Sequence, residues 1–136
     1  MKRRRLDANV ILRFLRNDDE VQSRQARQLM VRAESGEGRF LLSILTVAEI
    51  FYALRASYKL GRSETANALL GLVESGVLEV EREATLIKAL GLVIAANVDL
   101  GDAMLAAEAA ATGDEIATFD QDFARFDDVE LYSWSR

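Results

Sequence analysis

Apolar and polar residues follow two different periods along the chain, and each change of period marks a short strand or a longer helix. Strand-like stretches are short and either apolar or alternating, whereas helical stretches place apolar residues three and four positions apart. One strand is expected to run into Leu6; the others are expected at residues 39–45, 77–81, 115–119 and 129–134. Strands separated by helices predict an α/β fold, with a mostly parallel central sheet and helices on both faces.

Helices are expected in six of the intervening stretches, bounded by helix-starting residues or by glycines. The first carries Val10, Ile11, Phe14 and Leu15, the second starts at Asp18–Asp19, the third opens at Thr46, the fourth begins at Ser63, and the last two cover about 83–97 and 102–112. Glycines are expected to end four of them, at 36 and 38, 61, 76 and 113. Residues 120–126 are predicted to form a turn and a short helix.

The composition predicts one domain, residues 1–136, in the cytoplasm. This length suits a single domain with a continuous core, half of the residues are apolar, and proline is absent. No linker or repeat divides the chain. No uncharged apolar run reaches the roughly 18 residues of a membrane span, and the basic N-terminus leads to Asp7 instead of the apolar stretch of a signal peptide.

Histidine and cysteine are both absent, which excludes several classes of chemistry. Disulfides, zinc ribbons, thiol nucleophiles and serine–histidine–aspartate hydrolysis are not available. Carboxylate, hydroxyl, amide, lysine and arginine groups remain. A bound metal is therefore expected to be a hard cation such as Mg²⁺ or Mn²⁺.

Charge is distributed unevenly along the chain, although the net charge is only −5. Residues 1–62 contain 13 basic and 7 acidic residues, whereas residues 63–136 contain 4 basic and 15 acidic residues. The basic part could hold a polyanion while acidic groups elsewhere hold metal.

Acidic residues occur at strand ends and on first helical turns, which are expected to lie together at one edge of the sheet. They are Asp7 after the first strand, Glu49 on the first turn of a helix, Asp102 at the start of the alanine-rich helix, and Asp120 and Asp122 after the fourth strand. Parallel open sheets place their sites beyond the carboxyl ends of the strands. Clustered carboxylates repel unless cations neutralise them, and two divalent ions about 4 Å apart could activate a water and stabilise the leaving oxygen of a phosphodiester.

Each of these residues also has a structural explanation. Asp7 could cap the helix that begins near Val10, and Glu49 could complete a capping box with Thr46. Capping also explains Asp102, and the two later aspartates suit a turn. Position alone therefore does not separate a ligand from a cap.

Four motifs in order resemble the PIN domain, especially its small VapC-type toxins. They are LDANVILRFL at 6–15, TVAEIFYAL at 46–54, GDAMLAAEAA at 101–110 and IATFDQDF at 116–123. The resemblance implies a three-layer α/β/α sandwich and an endoribonuclease that uses Mg²⁺ or Mn²⁺. It implies metal-binding roles for Asp7, Glu49, Asp102 and Asp120, an additional one for Asp122, and supporting roles for Asn9 and Thr118.

The resemblance further implies a homodimer and a small antitoxin that occupies a groove near the site. The antitoxin could contact apolar residues around Phe51, Tyr52, Leu54 and Tyr58, although a core position is the alternative for most of them. Phosphates could contact arginines on the first two helices, for which a solvated helix face is the alternative. These arginines are Arg13, Arg16, Arg24 and Arg27.

Two departures from the family pattern keep other functions open. Ala8 stands where the family usually has Thr or Ser, and the RRRL of residues 3–6 is polar for a central strand, so an exposed basic arm is an alternative. A PIN-like module that binds protein or RNA without cutting is the second hypothesis. A phosphoacceptor domain built on the acidic pair at 18–19 is the third; that pair follows a helix instead of a strand.

Overall fold

Short parallel strands and longer helices alternate along the chain in the computed structural model, which describes residues 2–135. The strands are β1 (Arg3–Arg5), β2 (Arg39–Leu42), β3 (Glu79–Val80), β4 (Glu115–Ile116) and β5 (Glu130–Leu131). The helices are α1 (Ala8–Arg16), α2 (Glu20–Glu34), α3 (Ile44–Ala56), α4 (Arg62–Glu74), α5 (Glu83–Ala96) and α6 (Leu100–Thr112), followed by a 3₁₀ turn at Gln121–Arg125. The predicted α/β/α class is confirmed.

The strands form two parallel sheets, one in the order β1-β2-β3 and one of β4 with β5. The single central sheet expected from the sequence is therefore divided. β1 lies at an edge, and all three of its arginines are exposed. A central position would bury both of its faces and remove the guanidinium groups from water, which is costly without partners.

The start of α3 differs from the sequence prediction. Ser43 is the N-cap, and its hydroxyl accepts a hydrogen bond from the Thr46 backbone N–H at 3.1 Å. The helix therefore starts at Ile44, and the predicted strand 39–45 is shortened to β2. An apolar run alone does not show where a buried strand ends and a buried helix begins.

α3 also ends earlier than predicted, at Ala56 instead of near Gly61. Lys59 adopts a left-handed conformation with φ of 57°, and the Leu60 N–H donates to the Leu54 carbonyl at 2.9 Å. This bond satisfies a carbonyl of the last helical turn. Lys59, and not the predicted Gly61, therefore adopts the left-handed conformation after the helix.

The remaining strands are shorter than predicted, whereas the ends of α6 lie within two residues of the prediction. β3, β4 and β5 each have two residues, against predicted ranges of 77–81, 115–119 and 129–134. α6 starts two residues before the predicted 102 and ends at the predicted Thr112, directly before Gly113, whose φ is 76°. The 3₁₀ turn occupies the stretch predicted as a turn and short helix.

The core lies between the sheets and the helices and contains side chains from most elements. Fully buried large residues include Ile11 of α1, Phe51 of α3, and Leu86 and Leu90 of α5. α6 contributes small buried residues, among them Ala103 and Ala107, which let it pack closely against α5. Within residues 2–135, no helix is both long and apolar enough to cross a membrane.

Candidate active site

Asp7 lies between β1 and α1, held by the buried residues Leu6 and Ala8 on either side. Its backbone has the extended conformation of an N-cap, yet its side chain accepts no capping hydrogen bond. The exposed carboxylate forms no hydrogen bond or ion pair within residues 2–135. The capping role proposed as an alternative is therefore not used, and the oxygens of Asp7 are available to a ligand.

Glu49 lies on the second turn of α3, not on its first. Because Ser43 caps this helix, Thr46 is inside it, and the predicted capping box of Thr46 with Glu49 is wrong. The Glu49 carboxylate is exposed and has no hydrogen bond or ion pair in the described part of the chain. The structural explanation for this glutamate is thus removed.

A hydrogen bond connects the helix that carries Glu49 to the start of α6. The Tyr52 hydroxyl accepts from the Gly101 backbone N–H at 3.2 Å. Glu49 and Tyr52 are three positions apart on α3 and therefore share one helix face. Since Gly101 is next to Asp102, this face of α3 lies against the turn that carries Asp102.

Asp99 and Asp102, two aspartates of one helix start, have different roles. Arg62 donates to both carboxylate oxygens of Asp99, at 3.0 and 3.2 Å, and to the carbonyl of Asn97 at 3.0 Å. The pKa of Arg62 is raised, mainly by its hydrogen bond with Asp99 and more weakly by the charge of Asp102. Asp99 is thus neutralised by an arginine, while Asp102 is exposed and makes no hydrogen bond.

Asp120 organises the turn that follows β4. Its side chain accepts from the Asp122 backbone N–H at 2.9 Å, and its own N–H donates to the Thr118 hydroxyl at 3.0 Å. The turn explanation for Asp120 is therefore realised through one carboxylate oxygen, which leaves the second one unused. Asp122 is exposed beside it, and Thr118 supports the turn from the strand side.

Aromatic residues stabilise this acidic turn, a feature that sequence reasoning missed. The Trp134 indole donates to the Thr118 carbonyl at 3.0 Å, and its ring stacks on Phe119 with centroids 4.7 Å apart. Phe119 is 84% exposed, so its ring is held from one side only. The signal in the sequence was an apolar residue between two polar turn positions, together with the one tryptophan near the end of the chain.

The predicted ligands do not form a finished metal centre in the structure. Within residues 2–135, no group of three or more Asp or Glu side chains is arranged so that it could hold a metal ion. The donor chemistry nevertheless fits a hard cation, because Asp7, Glu49 and Asp102 offer exposed carboxylate oxygens without hydrogen bonds. The donors therefore fit Mg²⁺ or Mn²⁺ in their type, whereas their spacing does not form a closed site.

The residues expected to contact an antitoxin are mostly in the core. Phe51 and Leu54 are fully buried, which confirms the alternative for both. Tyr58 is partly buried, and its hydroxyl donates to Asp18 at 2.5 Å. Only Tyr52 is exposed, at 44%, and its hydroxyl is bonded to α6.

The arginines predicted to contact phosphates all have partners nearby. Arg13 bonds Gln22 and Tyr58, and Arg16 lies over the Tyr58 ring. Arg24 pairs with Glu20, and Arg27 donates to Asn17. A polyanion would have to compete with these contacts, so the solvated helix face is the better description of these four side chains.

Comparison with known proteins finds a family whose sequence model matches most of the chain. The model of the PIN domain family matches residues 5–129, a range that includes all four motifs. One similar solved structure is described as VapBC2 from Rickettsia felis bound to a DNA fragment from their promoter. It has 15% sequence identity and a TM-score of 0.42, and the alignment covers 98% of this chain and 99% of that one. No curated protein matches the sequence.

Proposed function

Since the chain belongs to the PIN domain family, whose members are generally nucleases, we propose that it is an endoribonuclease that depends on Mg²⁺ or Mn²⁺. We further propose that it is the toxin of a toxin–antitoxin pair. The observation that carries the nuclease proposal is that Asp7 and Glu49 have no structural partner within residues 2–135. Exposed carboxylates without a role in the fold, at two positions of the family pattern, are best explained by ligand binding.

Asp7, Glu49, Asp102 and Asp120 would hold the cation, with Asp122 as a further ligand. A bound divalent ion supplies Lewis-acid polarisation of the phosphate and lowers the pKa of a water. The chain's own residues set the geometry: Tyr52 holds the first turn of α6 against α3, and Thr118 holds the turn of Asp120. Asn9 is exposed on the first turn of α1, where it can orient a substrate group next to Asp7.

An antitoxin and a second copy of the chain are the proposed protein partners. An apolar groove of about 450 Å³ lies between α1, α2 and α4, lined among others by Phe14, Leu15, Met30 and Leu72. Its lining suits an apolar segment of a small antitoxin. We propose this groove as the antitoxin site in place of the predicted surface around Phe51 and Leu54, because both of these residues are buried.

Cleavage of a mixed pool of structured and unstructured RNAs by purified protein tests the nuclease proposal. The protein is purified under denaturing conditions and refolded, which removes any bound inhibitor, and is assayed with Mg²⁺, Mn²⁺ and chelator. Asp7→Asn removes one proposed ligand. Asp127→Asn makes the same chemical change at an exposed aspartate without a partner.

We expect metal-dependent cleavage by the wild type and by Asp127→Asn, and loss of cleavage in Asp7→Asn with an unchanged circular dichroism spectrum. Equal cleavage by the two variants would show that Asp7 is not part of the site. No cleavage of any RNA by the refolded wild type, in either metal, would overturn the nuclease proposal.

A binding module without catalysis is the second candidate, and the spacing of the carboxylates favours it. Calorimetric titration with Mn²⁺ separates the two proposals. A nuclease should bind the ion in the wild type and lose that binding in Asp7→Asn. A binding module should show no carboxylate-dependent heat.

A further inference from the structure

A groove of two adjoining parts follows one side of α2, and its lining includes Asn9, two residues after Asp7. Its first part, about 420 Å³, lies between α1 and α2 and includes Asn9 and Gln22. Its second part, about 860 Å³, lies between α2 and the edge of the three-stranded sheet and includes Arg4. Gln25 and Leu29 line both parts, so the two parts adjoin between Asn9 on α1 and Arg4 on β1.

Helical spacing places one mainly polar stripe of α2, interrupted by Leu29, along this groove. Gln22, Gln25, Leu29 and Arg32 are three, four and three positions apart, which aligns them on one face of α2. At about 1.5 Å per residue, the stripe is roughly 15 Å long. The groove is therefore long enough for a short stretch of an extended strand.

The cationic groups at the far end of the groove have no anionic partner. Arg4 and Arg32 form no ion pair or hydrogen bond through their side chains within residues 2–135, in contrast to Arg24 and Arg27. The Arg4 guanidinium lies 5.7 Å from the centre of the Phe40 ring, which holds it over the groove floor. Both arginines are thus free to bind phosphate oxygens.

The neutral lining of the groove suits nucleotide bases. Gln25 and Gln28 have no hydrogen bond through their side chains in the described part of the chain, and each amide can both donate and accept. Leu29 and Phe40 provide an apolar floor. Among residues 2–135, Glu37 is the one acidic residue that lines either part, whereas Arg4, Arg13 and Arg32 also line it, so the groove is cationic overall.

We infer that this groove binds the backbone of a single-stranded RNA that continues from the candidate active site, with Arg4 and Arg32 as its phosphate contacts. The inference rests on the proposed function, because it assigns the path of that substrate. An RNA strand is favoured over an acidic peptide because the groove includes Asn9, two residues after Asp7, and combines cations with unpaired amides and an aromatic floor. It also gives a function to Arg4, one of the arginines of β1 that the fold keeps exposed.

Fluorescence anisotropy with a short, unstructured, labelled RNA tests the inference. All proteins carry Asp7→Asn and are measured in chelator, so that no cleavage occurs. Arg4→Gln/Arg32→Gln removes the two groove cations. Arg82→Gln/Lys88→Gln is the matched control, since it removes two cations that are paired with Glu108 and Asp128 elsewhere on the surface.

We expect the groove variant to bind at least about 10-fold more weakly at low salt. Its slope of log affinity against log salt should be shallower by about 1.4, since each phosphate contact to a single strand contributes about 0.7. The control variant should keep the slope of the parent. If the double variant unfolds, Arg32→Gln alone, on the exposed side of α2, should reduce the slope by about 0.7.

Equal affinity and slope in the groove and control variants would overturn the inference, whatever the cleavage assay gives. Tighter binding of a poly-glutamate peptide than of RNA would overturn the assignment to RNA. Suppose that only the groove variant loses RNA binding and that the wild type cleaves no RNA. This result would support the groove and overturn the proposed nuclease, so the failures of the two proposals are distinguishable.

Discussion

The hydroxyl of Tyr52 accepts a hydrogen bond from the backbone N–H of Gly101 at 3.2 Å. Gly101 is in the first turn of α6, where N–H groups have no partner within the helix. The Tyr52 ring also packs edge-on against the buried ring of Phe51, with centroids 5.3 Å apart. The separation of Glu49 from Asp102 therefore depends on a side chain that is itself fixed by the core.

Tyr52→Phe should lower both stability and cleavage. Loss of one neutral hydrogen bond is expected to reduce the free energy of unfolding by about 0.5–1.5 kcal/mol. Urea denaturation measures this change. Cleavage should fall further than the unfolded fraction explains, because α6 is no longer held against α3; cleavage equal to the wild type would show that the contact does not position the carboxylates.

Gly101→Ala provides a second test of the same contact. A Cβ at this position would lie 3.3 Å from the Tyr52 hydroxyl, closer than an ordinary contact. Alanine should therefore be less favourable with Tyr52 present than in the Tyr52→Phe background, where the oxygen is absent. A double-mutant cycle measures this coupling, and additive free energies would contradict it.

Two substitutions at Asp120 should separate its role in the turn from its role in the site. Asn keeps a side-chain oxygen that can accept from the Asp122 N–H, whereas Ala removes it. We expect Asp120→Ala to cost about 1 kcal/mol of stability and Asp120→Asn much less. Both variants should lose cleavage. If Asp120→Asn is as active as Asp127→Asn, Asp120 stabilises the turn and is not a metal ligand.

Thr65→Val should stabilise the protein. Thr65 is fully buried on α4, and its hydroxyl is the one buried side-chain polar atom without a hydrogen-bond partner within residues 2–135. An unsatisfied buried polar group costs roughly 1–3 kcal/mol, and valine has nearly the same shape. Thermal unfolding should shift upwards by several degrees, while Thr65→Ser, which keeps the hydroxyl and removes a methyl group, should shift downwards.

Acid should weaken the contact between Tyr58 and Asp18. The hydrogen bond from Tyr58, with smaller contributions from Arg13 and Arg16, holds the pKa of Asp18 below its usual value of 3.8. A carboxyl with a lowered pKa in the folded state stabilises the fold above its unfolded pKa. That stabilisation is lost as the pH falls from about 3.8 through the folded pKa.

Tyr58→Phe should raise the pKa of Asp18, which carboxyl NMR can follow. The variant should also lose less stability than the wild type when the pH is lowered below 3.8. Asp127→Asn serves as the control for general acid effects. Identical acid profiles for the wild type and Tyr58→Phe would contradict the assignment.

Phe119→Ala should change the fluorescence of Trp134, the one tryptophan in the sequence. Phe119 covers one face of the indole, so its removal exposes the ring to water. We expect a shift of the emission to longer wavelength with little change in far-UV circular dichroism. Phe14→Ala, in another part of the fold, should leave the emission unchanged.

The fold class followed from the sequence because the alternation of strands and helices reflects burial. Element ends were less predictable where apolar residues continue across a boundary, as between β2 and α3. There the deciding feature was the side chain of Ser43, one polar residue within an apolar run. The edge position of β1 was also not predicted, although its three arginines indicated that both faces of the strand could not be buried.

The sequence could propose the residues of the candidate site but not their geometry. It pointed to Asp7, Glu49, Asp102 and Asp120, and the structure shows which of them also serve the fold. The capping box at Glu49 was the strongest competing explanation, and it depended on an incorrect helix start. The groove along α2 was missed because its residues are glutamines and arginines that look like an ordinary solvated helix face until β1 is placed beside them.

The arginines of β1 also affect how copies of the molecule meet in solution. An edge strand offers unpaired backbone groups to which the strand of another chain can add, and charged side chains on such a strand oppose this. β1 carries Arg3, Arg4 and Arg5 on that edge, so two copies that approach through it bring six positive charges together. The charges of this strand therefore oppose edge-to-edge association of two copies.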